Sequence, residues 1–382
     1  MSKKSILFVL QRVIIMYNLI IKTILWNIFM ENNILDNLEK IKQIDTSDMA
    51  GYILEMPNQI KQSLNKINEL KISEEFINFK PDNICLCGMG GSALANHLIA
   101  NLPQKDKPLV MQVVRGYEIP SWVNEKTLVI VTSHSGTTAE TLSAFKQAVK
   151  KNAKIFIVAE RGDIEKLGQE SGAIVFDYDT KAVPRASLGY QLGAIFGFLN
   201  RMKIINYDLK PALEKIEELN SKLKPKIEVE NNFAKHLAFS YFDRLPIIVA
   251  SGILQSVAWR WKTQLNENAN HFAFTEFLPE AMHNALQGLD NPARFKDELI
   301  YIFLENKFDS PELKDQFEKM KKILDENNIR FEIVEAEGND VFSQKLSTLI
   351  IGDWVSYYVS ILYETDPTPV DTIESAKKMN IG

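Results

Sequence analysis

The chain has 382 residues, 46% of them hydrophobic and 24% charged, with a formal net charge of -5. That length accommodates two domains with sizeable cores, and the slight acidity, with no block of basic residues interleaved with aromatics, disfavours a nucleic-acid surface. Its two cysteines, Cys85 and Cys87, alternate along one apolar run; they share a face and read as core residues of a reduced, cytosolic protein, not as a disulfide or metal pair.

Residues 1–29 differ from the rest, being apolar and basic with no acidic residue before Glu31. Gln11 and Arg12 break the apolar run, which disfavours a signal peptide. A spanning helix would carry Asn18, Lys22 and Asn27 into or near hydrocarbon, where a central Lys costs about 2.5–3.5 kcal/mol. Met30 opens a better start, MENNILDNLEKI, so residues 1–29 read as an upstream extension outside the fold, with a weak membrane anchor as second choice.

Residues 30–80 read as a helical leader, with Ile34, Leu35, Leu38 and Ile41, then Ile53, Ile60, Leu64 and Ile67, at three- and four-residue steps. Over 81–205, apolar strands at 84–87, 109–114, 128–131, 155–159 and 174–176 alternate with helical patterns. Such alternation predicts a parallel sheet with helices on both faces. Residues 206–244 are a charged helical connector punctuated by Pro211 and Pro225, its charges expected on a solvated face. A second unit, 245–382, repeats the strand-to-glycine design in IIVASG, with further strands at 299–304 and 330–334 and helices over 348–363 and from 372.

Two loops carry the clearest chemistry. After the first strand come Gly88, Gly90, Gly91 and Ser92, where Cβ-free backbone and a helix start at Ser92 offer unpaired N–H groups to an anion. After the third come Thr132, Ser133, Ser135, Thr137 and Thr138, and the capping-box spacing of Thr137 and Glu140 predicts a helix from there. In an open parallel sheet such loops lie side by side at the strand ends. Rich in hydroxyls and poor in lysine, they suit a phosphate monoester on a small polar molecule. The Gly-x-Gly-x-x-Ala run ending at Ala93 also fits a dinucleotide fingerprint, but the second strand ends in Arg115 where that reading wants an acidic residue. A nicotinamide-dependent oxidoreductase is therefore disfavoured, and no cofactor is expected.

Given a sugar-phosphate site, four ionisable residues stand out: Arg185 in AVPRASLGYQLG, Glu267 in LNENANH, His283 in LPEAMHNALQG and Lys377 in IESAKKMN. Singly, each reads as structural; together they are informative. GMGGS at 88–92, SHSGTT at 133–138, PRA at 184–186, NENA at 266–269, LPEAMHN at 278–284 and the Pro-Thr-Pro stretch leading to Lys377 resemble the bifunctional phosphoglucose/phosphomannose isomerases, a group with two sugar-isomerase (SIS) domains. The ordered set runs from about Met30 to the end of the chain.

The resemblance implies two flavodoxin-like domains, a homodimer with shared active sites, and metal-free interconversion of glucose 6-phosphate or mannose 6-phosphate with fructose 6-phosphate. Carried over by motif, Gly91, Ser92, Ser133, Ser135 and Thr138 would hold the phosphate, Glu267 would be the base, His283 and Lys377 would serve ring opening, Arg185 would meet the enediolate, and Thr368 would contact the sugar. The chain departs from many relatives at Ala93, where they have Gly, and at His134, where they have Tyr or a related aromatic, which predicts a tighter phosphate loop.

The chemistry explains the residue types. Moving a proton between C1 and C2 needs one carboxylate that reaches both carbons on one face of a cis-enediol. The developing negative charge needs a fixed cation that cannot deprotonate, for which Arg suits better than Lys. Ring opening needs a proton shuttle near neutral pH, and His is the natural one. The competing reading is a non-catalytic sugar-phosphate sensor of the same domain type, which would keep the hydroxyl loop and need none of Glu267, His283 and Lys377.

Overall fold

The structure is a computed structural model describing residues 33–103, 109–160 and 162–379. The expectations for residues 1–29 and for a start at Met30 lie outside the described residues. The leader forms α1 (Leu38–Ile44), α2 (Met49–Glu69) and a single turn, α3 (Glu74–Ile77). Ile53, Met56, Ile60 and Ile67 line the buried stripe of α2, as their three- and four-residue spacing requires.

The first sheet unit runs β1 (Asn83–Gly88), α4 (Gly90–Ala100), β2 (Val110–Val114), β3 (Thr127–Ser133), α5 (Ala139–Lys150), β4 (Lys154–Ala159), α6 (Asp163–Glu170), β5 (Ile174–Asp177) and α7 (Leu188–Arg201). Its strands are all parallel, in the order β2-β1-β3-β4-β5. The period of two sorts the side chains: Ile84, Leu86, Leu128, Ile130, Phe156 and Val158 join one core with α2, α4 and α7. Cys85, Cys87, Val129, Val131, Ile155 and Ile157 join another with α5 and α6. The two cysteines are free and buried, their sulfurs 3.6 Å apart.

Helix α7 lies against α2 because its glycines recur every four residues. A Cβ on Gly189 would stand 2.7 Å from the Met56 carbonyl oxygen, and one on Gly193 2.8 Å from that of Ile60. The connector contributes α8 (Lys210–Leu223) and α9 (Phe233–Tyr241). Its charges are not all solvated, contrary to the expectation from sequence: Lys235 is buried, donating to Asp36 Oδ1 at 2.8 Å and to the Pro225 carbonyl at 2.9 Å, and so ties the connector to the leader.

The second unit runs β6 (Leu245–Ala250), α10 (Gln255–Asn268), β7 (Phe274–Phe277), β8 (Leu299–Glu305), α11 (Pro311–Glu326), β9 (Arg330–Glu335), α12 (Val341–Leu362) and α13 (Asp371–Lys378). Its strands are parallel, in the order β7-β6-β8-β9. Strand β7 escapes the sequence pattern because it is four residues long, at the sheet edge, with Phe274 half exposed. Helix α12 starts seven residues earlier than the apolar pattern indicates, because Ser343, Gln344, Lys345 and Ser347 are buried despite their polarity. All 22 of its residues are buried, as befits a helix packed on every side, here by α2, α8, α9 and α10.

Both sheets follow one topology: the second strand lies beside the first on one side and the third on the other. This is the flavodoxin-like winding, and it reverses direction between β1 and β3 in one sheet and between β6 and β8 in the other. Ligands of open α/β sheets bind outside the carboxyl ends of the strands at such a reversal.

Candidate active site

At the first reversal the loops after β1 and β3 face one another. Helix α4 begins at Gly90, two residues before the expected Ser92, because Gly90 turns the chain at φ 50° directly after the strand. Ser92 therefore sits inside the first turn, buried, its Oγ accepting from Gln191 Nε2 at 3.1 Å. Gly91 brings this loop against the turn Pro184–Ala186: a Cβ there would be 3.4 Å from the Pro184 oxygen and 3.5 Å from Arg185 Cα.

In the second loop Ser133 Oγ accepts from Gly136 N at 3.1 Å, and Thr138 Oγ1 lies 3.3 Å from Ser133 Oγ and 3.2 Å from Ser135 Oγ. Helix α5 starts at Ala139 with Thr138 at the cap position, not at the predicted Thr137, and Thr138 makes no side-chain cap bond. The reason is local: the Thr137 N–H donates to Ser135 Oγ at 3.3 Å, so Thr137 belongs to the loop, while the Thr138 hydroxyl faces the two serines. The result is a cluster of hydroxyls at helix N-termini, a surface whose chemistry suits an anion.

The second reversal is closed. Ser251, after β6, donates its hydroxyl to Asp309 Oδ2, and a Cβ on Gly252 would meet Asp309 Oδ1 at 3.0 Å. A carboxylate over the turn repels an anion, so this reversal lacks the anion-favouring character of the first.

Between the two units Arg185 is buried and held on three sides. Its Nε donates to Asn268 Oδ1 at 2.7 Å, and its Nη2 to the carbonyls of Pro367 at 2.5 Å and Thr368 at 2.8 Å. Its own carbonyl accepts from Arg260 Nη2 at 2.9 Å, and Arg260 in turn is clamped by Asp353 at 2.8 and 2.9 Å. Its Nη1 stands 3.8 Å from Glu267 Oε2, near enough for Coulomb attraction and too far for a hydrogen bond. Burial pushes the Arg185 pKa down, and Glu267 opposes that shift. Glu267, 28% exposed, lines a cavity of about 920 Å³ with Asn266, His271, Phe272, Asp366 and Asp371. The Thr368 hydroxyl beside Arg185 is buried without a hydrogen-bond partner.

Arg185, Glu267 and Thr368 thus converge, with Gly91 joining them to the loops of the first sheet. His283 and Lys377 do not. His283 is exposed in the 3-10 turn Glu280–His283 after the carboxyl end of β7, whereas Glu267 ends α10 at the amino edge of the same sheet. Lys377 is exposed on α13, a helix with no buried residue. Several structural partners escape sequence reasoning. Gln59 holds the Arg185 turn, donating to the Ala186 carbonyl at 2.9 Å and accepting from Gly189 N at 3.1 Å. Gln191, Tyr178 and Asn268 are equally silent in sequence; only the NENA motif containing Asn268 could have drawn attention to it. Among the described residues no three His, Cys, Asp or Glu side chains converge as a metal site would need, and no helix is long and apolar enough to cross a membrane.

A flavodoxin-like pair of sheets with a hydroxyl-lined anion loop, beside an Arg and Glu at the junction of the two units, defines a sugar-isomerase-type phosphosugar isomerase. The profile of the bacterial phospho-glucose isomerase C-terminal SIS domain matches residues 230–379. The bifunctional phosphoglucose/phosphomannose isomerase of Thermoplasma acidophilum is 34% identical over 300 residues, covering 78% of this chain and 89% of that protein. That of Caldicellulosiruptor bescii is 29% identical over 335 residues, covering 86% and 98%. A solved glucose-6-phosphate isomerase-like protein from Thermus thermophilus shares the fold with a TM-score of 0.60 at 20% identity, over 89% of this chain and 99% of that one. The chain belongs to the bifunctional phosphoglucose/phosphomannose isomerase family and is a sugar-phosphate isomerase.

Proposed function

We propose that this enzyme interconverts glucose 6-phosphate and mannose 6-phosphate with fructose 6-phosphate by metal-free proton transfer through a cis-enediol. The phosphate rests on Gly91, Ser92, Ser133, Ser135 and Thr138 of the first unit. Glu267 carries the proton between C1 and C2, and Arg185 stabilises the enediolate oxygens. Thr368, with its unpartnered hydroxyl, contacts the sugar. His283 and Lys377 act in ring opening, His283 reaching the site from the partner subunit of a homodimer. No cofactor takes part.

One observation carries the reading: Arg185, immobilised by three hydrogen bonds, lies 3.8 Å from Glu267 on the wall of a cavity. A cation fixed in advance and a carboxylate not hydrogen-bonded to it are the pair an enediolate requires, since stabilisation costs least when the charge needs no reorganisation. A sensor would have no use for this arrangement. Because the enediol loses the C2 stereocentre, one base serves both epimers.

The test is a coupled assay of purified protein on both hexose 6-phosphates, with Glu267→Gln beside it. The wild type should turn over, chelators should leave the rate unchanged, and the variant should lose about 10²-fold or more in kcat with fructose 6-phosphate still bound. No turnover of either substrate by the wild type, with binding intact, would make the protein a sensor.

A further inference from the structure

Behind the proposed phosphate pocket lies a polar chain. It runs Glu160, His134, Tyr178, Gln191, Ser92. His134 Nε2 lies 3.5 Å from Glu160 Oε2, His134 Nδ1 lies 3.2 Å from the Tyr178 hydroxyl, and Gln191 Nε2 donates both to that hydroxyl at 2.9 Å and to Ser92 Oγ at 3.1 Å. Gln191 and Ser92 are buried, and Tyr178 is held from the other side by stacking on Tyr190 at 5.1 Å. The chain therefore links the first turn of α4, the loop after β3, the ends of β4 and β5, and α7.

Donor and acceptor directions follow from the inventory of each group. Both hydrogens of the Gln191 amide are used, one on each hydroxyl. Tyr178 Oη, already an acceptor, must send its own hydrogen elsewhere, and His134 Nδ1 is the acceptor at hand. Burial pushes the Tyr178 pKa up, so it keeps that hydrogen; burial pulls the His134 pKa down against the attraction of Glu160, so Nδ1 keeps a lone pair. His134 then carries its hydrogen on Nε2, facing Glu160. At the other end Ser92 Oγ is an acceptor from Gln191, which frees its hydrogen for the pocket.

We propose that Gln191, Tyr178 and His134 are positioning residues of the phosphate pocket, a hydrogen-bond relay that begins at His134, beside the Glu160 carboxylate, and holds the Ser92 hydroxyl as a donor toward the phosphoryl group. This rests on reading Ser92 as a phosphate ligand. An unconstrained serine at the bottom of the pocket would spend part of its time offering lone pairs to an anion; here that orientation is filled. The Gln191 Oε1 atom is buried without a partner, and the amide turned over would use that oxygen to accept from both hydroxyls while stranding its NH2 group. In that arrangement Ser92 would donate to Gln191 and not to phosphate. A carboxylate at position 191 enforces it, which makes Gln191→Glu decisive.

The experiment is steady-state kinetics on fructose 6-phosphate, with inorganic phosphate as competitive probe, for wild type, Ser92→Ala, Gln191→Glu, Gln191→Leu, Tyr178→Phe and the Tyr178→Phe/Gln191→Leu double variant. Gln191→Glu should raise KM and the phosphate inhibition constant together by about tenfold or more, and Gln191→Leu and Tyr178→Phe each by about two- to tenfold, as for one lost hydrogen bond. In each case kcat should stay within about threefold of wild type, because nothing in the relay meets the reacting carbons. Tyr178 acts through Gln191, so the double variant should match Gln191→Leu alone; effects that multiply independently would overturn the relay. A wild-type KM in Gln191→Glu or Tyr178→Phe would also overturn it, the second remaining decisive if the position-191 variants fail to fold. If Ser92→Ala leaves KM unchanged, the phosphate pocket itself has been misassigned; if Ser92→Ala raises KM and the relay variants do not, only the relay falls.

Discussion

At the scale of single residues, Arg185 is where the proposed chemistry meets a structural hub. Its guanidinium reaches Asn268 with one nitrogen, two carbonyls with another, and faces Glu267 with the third. A lysine offers donors from a single point and cannot span that set. Arg185→Lys should therefore lower kcat about 10²-fold, the scale of one lost oxyanion contact, and a coupled assay retaining kcat within about threefold would refute the role. Thr368 separates the two contributions differently. Its hydroxyl has no partner in the unliganded fold, so Thr368→Val should leave the thermal midpoint level or raised, because removing an unsatisfied buried hydroxyl costs nothing. The same variant should raise KM for mannose 6-phosphate about two- to tenfold if the substrate supplies that missing partner. An unchanged KM would remove Thr368 from the site.

Motifs made Arg185 and Glu267 legible in the sequence; burial makes the residues around them legible only in the structure. Gln191 in LGYQLG has the pattern of any polar helix residue. It lies inside because it projects from the side of α7 away from the glycines, where that helix packs on α4 and the amide meets Ser92 and Tyr178, a tertiary fact no local pattern carries. Gln59 is hidden the same way on α2, polar among apolar neighbours until its partners at Ala186 and Gly189 are seen.

At the scale of elements, the carboxyl end of α4 meets α12 through a buried amine. Lys345 Nζ donates to the Leu98 carbonyl at 2.8 Å, and burial lowers its pKa to about 7. His97, next along α4, is lowered to about 4 by burial and by the charges of Arg115 and Lys345. For both bases the folded state binds fewer protons than the unfolded, so stability rises with pH across each window. The windows run from about 4 to the ordinary value of 6.5 for His97, and from about 7 to the ordinary 10.5 for Lys345. Lys345→Met should be more stable than wild type at pH 7, and its advantage should shrink on going to pH 9 by at most about 1.4 kcal/mol per pH unit. Denaturant titrations of both proteins at the two pH values read this directly, and an advantage that is constant or grows would contradict it. The polar residues that hid the first turns of α12 from the sequence pattern include this same lysine. Arg115, which argued against a dinucleotide site, has its own structural use: its guanidinium lies 4.6 Å from the Trp259 ring centre and so ties β2 to α10.

At the scale of the whole molecule, the alternation of apolar strands and helical patterns was enough for two doubly wound sheets, while the closure of the second reversal by Asp309 was not, since nothing in the local sequence shows where that carboxylate lands. The relation between His283 and Glu267 is likewise a property of topology. Both flank the same sheet, but α10 runs back along β6 and leaves Glu267 at the amino edge, while His283 follows the carboxyl end of β7. The 14 residues of α10 span ~20 Å, which sets the two toward opposite edges of the sheet within one chain. Beside the Glu267 cavity, Phe272 and Phe274 are 75% and 52% exposed, an apolar rim of the kind a partner subunit covers. In a two-fold dimer the partner's copy of the histidine turn can complete each site, and two such sites form at once. Glu267→Gln and His283→Ala chains, each inactive alone, should then recover activity when refolded together. One site of a mixed dimer collects both substitutions and the other neither. With half the dimers mixed and one of two sites intact, roughly a quarter of wild-type activity should return under random pairing. If base and histidine came from one chain, every site would carry a lesion, so a confirmed heterodimer with no activity would refute the shared site.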